Sequence, residues 1–288
     1  MFSDRELKQI LDHLPKVEAP DAIWKSIEAQ LRSDRIPKRS EFRPWRWAFA
    51  ALAVLAVVFV IAVGWKQTHR DQWIETDAHS RTTIKVGDIG SVEVEPGTRL
   101  RVVSDGPKGH RFALAHGEIH ATMSAPPKLF FVDTASGTAI DLGCEYKLNS
   151  NELGLGLLQV TKGWVSFQWK GLESLVPAGA SCRTHPGIGP GIPYFDDASE
   201  NLKQALESLG VPQKSGDDPL DVILGESRVR DTLTLWHLLQ RVDVQDRGRV
   251  YDRIAALTPV PSGVSRERAL QLDPETLKLW KDELAWKW

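Results

Sequence analysis

Between Trp47 and Trp65 the chain reads WAFAALAVLAVVFVIAVGW, with no charge, no amide and no proline. A helix of this length spans roughly 28 Å, close to the hydrocarbon thickness of a bilayer. A helix of a soluble core normally keeps one polar face, and this run has none. The pattern predicts one transmembrane helix over residues 47–65. Ahead of it, residues 1–46 alternate at a helical period in two short stretches. Ser3 and Glu6 form a capping-box pattern, and Leu7, Ile10, Leu11 and Leu14 then share a face that ends at Pro15. Asp21 opens a second stretch in which Ile23, Trp24, Ile27 and Leu31 lie on one side. Two helices this short bury too little apolar surface to stand alone. They read as a segment completed by a partner, through Leu7, Leu11, Trp24, Ile27 and Leu31, with a membrane-proximal helix that only folds against itself as the alternative.

From about Thr82 the apolar period changes to two. Ser91–Glu95 and Thr98–Val103 alternate around Pro96-Gly97, a proline–glycine turn signal. Further short runs follow: His110–Ala115, Glu118–Met123, Leu129–Thr134, Thr138–Leu142, Glu145–Leu148, Leu157–Thr161, Trp164–Trp169 and Ser174–Val176. Many short strands with regular turn residues predict an all-β domain over residues 82–182. Gly97, Gly117 and Gly137 are evenly spaced, which favours a solenoid-like stack of strands, with a sandwich as the alternative. Residues 183–197 are rich in glycine and proline and read as a linker. The helical period then returns over residues 197–288 and predicts a C-terminal α-helical domain. Its helices are expected over Ser199–Leu209, Arg230–Val242 and Asp246–Leu257, with a short one capped by Ser265. A last one starts at Asp273-Pro274-Glu275 and buries Leu277, Trp280 and Leu284.

Charge orients the apolar run. Arg32, Arg35, Lys38, Arg39, Arg43 and Arg46 precede it, whereas Lys66, Arg70 and Arg81 after it are mixed with Asp71, Glu75 and Asp77. The basic flank predicts a cytoplasmic N-terminus and export of everything after residue 65. Trp45, Trp47, Trp65 and Trp73 fall where aromatic residues meet the membrane interface. The apolar run begins too far from Met1 for a cleaved signal peptide, so a signal-anchor in the inner membrane is expected, with lipid as its first partner. A formal net charge of -2 gives no electrostatic case for nucleic acid.

Chemistry is sparse. The two cysteines, Cys144 and Cys182, cannot build a four-thiolate metal site. On the exported side they can form a disulfide, worth about 4 kcal/mol in the chain-entropy account, or remain two buried thiols; spacing alone leaves both open. His116, Glu118 and His120 in HGEIH point the same way on a strand, but solvent-facing strand positions explain them more simply than a metal. The zinc-protease spacing is different and needs a helix. Gly187–Gly191 lacks the lysine and helix of a phosphate loop, and no serine sits in a nucleophile elbow. No enzyme activity, cofactor or metal is expected.

The runs VEVEPGTRLRVV, FALAHGEIHATM, FFVDTASGTAIDLGCEYKL, LLQVTKGWVSF and LVPAGASC occur in an order that resembles the FecR domain. The resemblance rests on Gly117-Glu118, on Leu142, Gly143 and Tyr146, and on Val160, Gly163 and Val165, and it covers residues 84–182. It implies a single-span inner-membrane regulator. Its cytoplasmic helices would bind an extracytoplasmic-function sigma factor, and its exported domain would receive an envelope signal from a periplasmic protein or ligand. The C-terminal helices do not resemble the receptor-signalling module of iron-uptake regulators. The alternative is a membrane-tethered periplasmic scaffold or ligand-binding module without sigma-factor control.

Overall fold

A computed structural model describes residues 73–107, 109–124, 126–209 and 218–288. The N-terminal helical segment, the apolar run Trp47–Trp65 and the residues Leu7, Leu11, Trp24, Ile27, Leu31, Trp45, Trp47 and Trp65 lie outside the described residues. Among the described residues no helix is long and apolar enough to cross a membrane.

The β part begins with β1 (Trp73–Glu75), β2 (Thr82–Val86), β3 (Gly90–Val94), β4 (Arg99–Ser104) and β5 (His110–Met123). It continues through β6 (Phe130–Thr134), β7 (Gly137–Asp141), β8 (Glu145–Ser150), β9 (Gly156–Lys162) and β10 (Trp164–Trp169). It ends with β11 (Leu172–Pro177), β12 (Ala180–His185), β13 (Gly189–Pro190) and β14 (Tyr194–Phe195). One sheet has the order β1-β4-β5-β6-β7-β10-β11, and the other β2-β3-β5-β8-β9-β12, with β13 and β14 on β12. Among the described strands only β5 and β6 run parallel. At the side away from β5, β11 lies against β9, β12 and β13, so the two sheets nearly close into a barrel.

This arrangement corrects the solenoid expectation. A solenoid stacks parallel coils, whereas these strands pair antiparallel in two sheets around one core. The evenly spaced glycines are not a repeat. Gly97 turns β3 into β4, Gly117 lies within β5, and Gly137 opens β7.

The strand β5 belongs to both sheets. Its first half pairs with β4 and β6, its second half with β3 and β8. Arg99 faces His116 while Leu100 faces Leu114, so Ala115 is an extra residue, a β-bulge. The bulge shifts the inward parity. Phe112 and Leu114 are buried before it, Ile119, Ala121 and Met123 after it. The expectation of two strands, His110–Ala115 and Glu118–Met123, is therefore corrected to one 14-residue strand. The core takes side chains from both sheets, among them Val94, Leu100, Phe112, Phe130, Tyr146 and Phe167. Phe112 and Phe130 meet edge to face at 5.2 Å, and each such buried ring contributes about 2 kcal/mol or more.

The helical part comprises α1 (Glu200–Ser208), α2 (Pro219–Glu226), α3 (Thr232–Leu239), α4 (Val244–Leu257), α5 (Arg266–Leu270) and α6 (Pro274–Leu284). Ser199, Asp218, Ser265 and Asp273 cap their helices through side-chain oxygens that accept backbone N–H bonds. A second core forms here around Ile223, Leu235, Leu238, Ile254 and Trp280. Helix α3 is buried nearly all round because it lies between the cores. Leu233 joins the β core, while Leu235, Leu238 and Leu239 join the helical one.

The stretch 183–197 is no linker. It holds the end of β12 and both β13 and β14, and Phe195 is fully buried in the β core. Its prolines sit where no ladder N–H is needed. The carbonyl of Pro193 accepts a 2.8 Å bond from Thr234 Oγ1 of α3.

Candidate functional site

The residues that carry the family-like pattern turn out to be architectural. Gly117 sits at a φ of 100° directly over Thr98, where any Cβ would collide. Thr98 Oγ1 accepts a 2.9 Å bond from Glu118 N and donates to Glu118 O. Gly163, at a φ of 72°, packs on the Gly143 carbonyl so closely that a side chain would overlap it. Tyr146, Val160 and Val165 are buried in the β core. These positions hold turns and packing, and of the pattern residues Glu118 is the one whose carboxylate lies on the outward face of β5.

The HGEIH trio lies on the outward face of β5. His116 is opposite Arg99 and Glu118 is opposite Asn149. His120 lies between two carboxylates, with Glu145 3.3 Å from Nε2 and Glu93 3.8 Å from Nδ1. Among the described residues no three His, Cys, Asp or Glu side chains gather to hold a metal.

Cys144 and Cys182 are both free and both buried, so the pairing that spacing left open is not formed. The Cys144 thiol donates to the Asp141 carboxylate at 2.6 Å. Burial, with that carboxylate beside it, raises its pKa well above the thiol range. Burial also raises Asp141, against the hydrogen bonds it accepts from Cys144 and Gly143. Cys182 lies on β12 near Gly191, and burial pushes its thiol up to about 12. Both are inert packing groups, since the thiolate is the reactive form.

The sheet meets the helices in a seam that brings distant residues together. The backbone N–H of Leu175 on β11 donates to His237 Nε2 on α3 at 3.0 Å. His237 Nδ1 in turn meets the Leu233 carbonyl at 2.9 Å. Burial, aided by the positive charges of Arg241 and Lys281, lowers the His237 pKa to about 3 and keeps the ring neutral. One turn on, Arg241 Nη1 donates to Pro190 O at 2.7 Å, and Nη2 donates to Ser174 Oγ at 2.6 Å and to Glu173 O at 3.2 Å. Trp288 fills the other side of the seam. Its ring lies 6.1 Å from Trp164, 6.2 Å from Trp236 and 6.5 Å from His237, and its Nε1 donates to Thr232 Oγ1. Trp288 packs on both cores. Between β11 and helices α3 and α6 a cavity of about 430 Å³ opens, walled by Leu172, Leu175, Trp236, Arg241, Leu277 and Lys281. Sequence reasoning placed Trp236 and Leu277 on helix faces but singled out neither His237 nor Arg241. Their partners are remote in sequence, and no local spacing signals such a meeting.

Comparison with known proteins bears on the β part. Residues 72–166 match the FecR protein family. The match begins just before β1, earlier than the expected residue 84, and ends within β10, short of residue 182. The strands β11–β14 and all six described helices lie beyond this FecR segment, and so does the seam. Two crystal structures, at 1.65 and 2.50 Å, of a protein from Parabacteroides distasonis described as an anti-sigma factor are similar in part. Each gives a TM-score of 0.39 at 15% identity, over 48% of this chain and 65% of that one. The chain thus spans less than two thirds of their length. No curated protein matches the sequence.

Proposed function

We propose that this chain is a single-pass inner-membrane regulator of the FecR type, which controls an extracytoplasmic-function sigma factor in response to an envelope signal. The observation that carries the reading is order along the chain. Two amphipathic stretches with a basic flank come first, then the uncharged Trp47–Trp65 run, then the FecR match at residues 72–166. A transmembrane regulator needs that order, with a partner-binding face inside, an anchor, and a receiving domain outside. In this reading Leu7, Leu11, Trp24, Ile27 and Leu31 contact the sigma factor, and Trp45, Trp47 and Trp65 sit at the lipid interface. The receiving part works by binding, not by catalysis.

The test has two arms. Reporter fusions at the two ends of the full chain should place the N-terminus in the cytoplasm and the C-terminus outside. The full chain should co-purify with the sigma factor encoded beside it, and Leu7→Asp with Leu11→Asp should abolish that capture. A cytoplasmic C-terminus, or capture that survives both substitutions, would falsify the reading. A scaffold without sigma-factor control would instead keep its function when residues 1–31 are deleted.

A further inference from the structure

The cavity at the seam combines an apolar wall with uncompensated positive charge. Leu172, Leu175, Trp236 and Leu277 supply the wall. Among the described residues Arg241 donates to neutral oxygens alone, those of Pro190, Glu173 and Ser174. Among the described residues no carboxylate pairs with it. A guanidinium has five N–H donors, and these three bonds leave its Nε–H and one Nη1–H unused. Burial among uncharged groups lowers its pKa, with Cys182 acting in opposition.

Lys281 lines the same cavity, and its nearest carboxylate, Asp282, is 4.0 Å away and shared with Lys278. One carboxylate, Glu173, also lines it. That group is turned along the sheet, where its Oε1 accepts from Ser166 Oγ and from Gln168 Nε2 at 3.1 Å. His237 adds no charge, because its ring is held neutral. The cavity is therefore lined by both positive charge and apolar side chains. A partly desolvated cation with spare donors is stabilised by an anion, and burying an anion there costs less than elsewhere. At about 430 Å³ the space suits a small ligand.

We propose that this cavity binds a carboxylate carried on an apolar body, the carboxylate between Arg241 and Lys281 and the body against Trp236, Leu172 and Leu277. This goes beyond the regulator reading and stands on the geometry of the seam alone. Such a group has two sources, a free small acid or the terminal carboxylate of a peptide ending in an apolar residue.

The test uses the full chain in nanodiscs, with empty nanodiscs as blank, and isothermal titration calorimetry. The probes are 3-phenylpropionate and N-acetyl-alanyl-phenylalanine, each against its carboxamide. At least one acid should bind at least about tenfold more tightly than its amide, the difference a single charge-assisted pair supplies. Lys281→Gln, which breaks no hydrogen bond of the fold, should weaken that acid at least about fivefold while the thermal midpoint holds. Binding of the free acid alone assigns a small-molecule source, and binding of the peptide alone assigns a peptide terminus. The proposal fails if neither acid binds, if acid and amide bind alike, or if Lys281→Gln leaves affinity unchanged.

Discussion

The amide of Leu175 and the imidazole of His237 fix one another. Because the amide donates across 3.0 Å, Nε2 must carry the lone pair, and the ring proton resides on Nδ1, directed at Leu233 O. Protonating the ring would set N–H against N–H inside the protein. The unfolded chain, by contrast, takes up that proton below about pH 6.5. His237 therefore stabilises the fold above that pH, and the contribution fades as pH falls from 6.5 towards the depressed folded value of about 3.

Urea unfolding at pH 7.5 and pH 5 checks this relationship. His237 alone should remove about 2 kcal/mol of stability between those values. His237→Gln should be less stable than the native chain at pH 7.5 yet show a smaller loss on acidification. Equal losses in the two proteins would rule the linkage out.

Gly163 and Gly97 separate collision from backbone strain. Both have a positive φ, 72° and 68°, but a side chain at Gly163 meets the Gly143 carbonyl while one at Gly97 meets open space. Gly97→Ala should cost about 1 kcal/mol. Gly163→Ala should cost about 3 kcal/mol or more, or prevent folding, because a close-packed interior relaxes poorly around added volume. Thermal midpoints of the two variants decide it, and similar shifts would count against the packing account.

Trp288 should behave as a shared residue of both cores. Trp288→Ala is expected to cost about 2 kcal/mol. Hydrogen exchange should quicken in α3 and β10 together, since the ring touches Trp236 on one and Trp164 on the other. An effect confined to residues 285–288 would show that the contact carries little.

The two thiols offer a chemical count. In the native chain neither Cys144 nor Cys182 should react with a disulfide reagent at pH 8, since both are buried and protonated. In concentrated guanidinium without reductant both should react. A denatured chain that shows no thiol would mean that the cysteines are paired.

Alternation of apolar residues made most strands legible, and Asp273-Pro274 announced α6 correctly. The same signal at Asp218-Pro219 opens α2, yet an eight-residue helix after the polar run 213–217 leaves too little periodicity to mark it. The bulge at Ala115 defeated the pattern directly. One extra residue swaps the inward set, and a parity break looks like a strand end. Proline and glycine over residues 183–197 looked like a linker, although these residues also serve where strands end and chains turn. The family-like motif was visible because turns and tight contacts demand particular residues locally. The seam was not, since Leu175 and His237 are 62 positions apart and nothing near either one anticipates the other.

A strand common to both sheets leaves no seam along which the β part can be halved. Its first sheet is unfinished until β11 is available, and its second until β12 and Phe195 arrive. A chain emerging from the ribosome N-terminus first carries β5 without two of its four partners until β6 and β8 follow, and neither sheet is complete until β11 and β12 emerge. Exposed ladder edges invite mispairing during that interval, and the long-range closures slow the search. The geometry that makes the finished domain indivisible also makes it dependent, while it is being born, on whatever shields nascent chains.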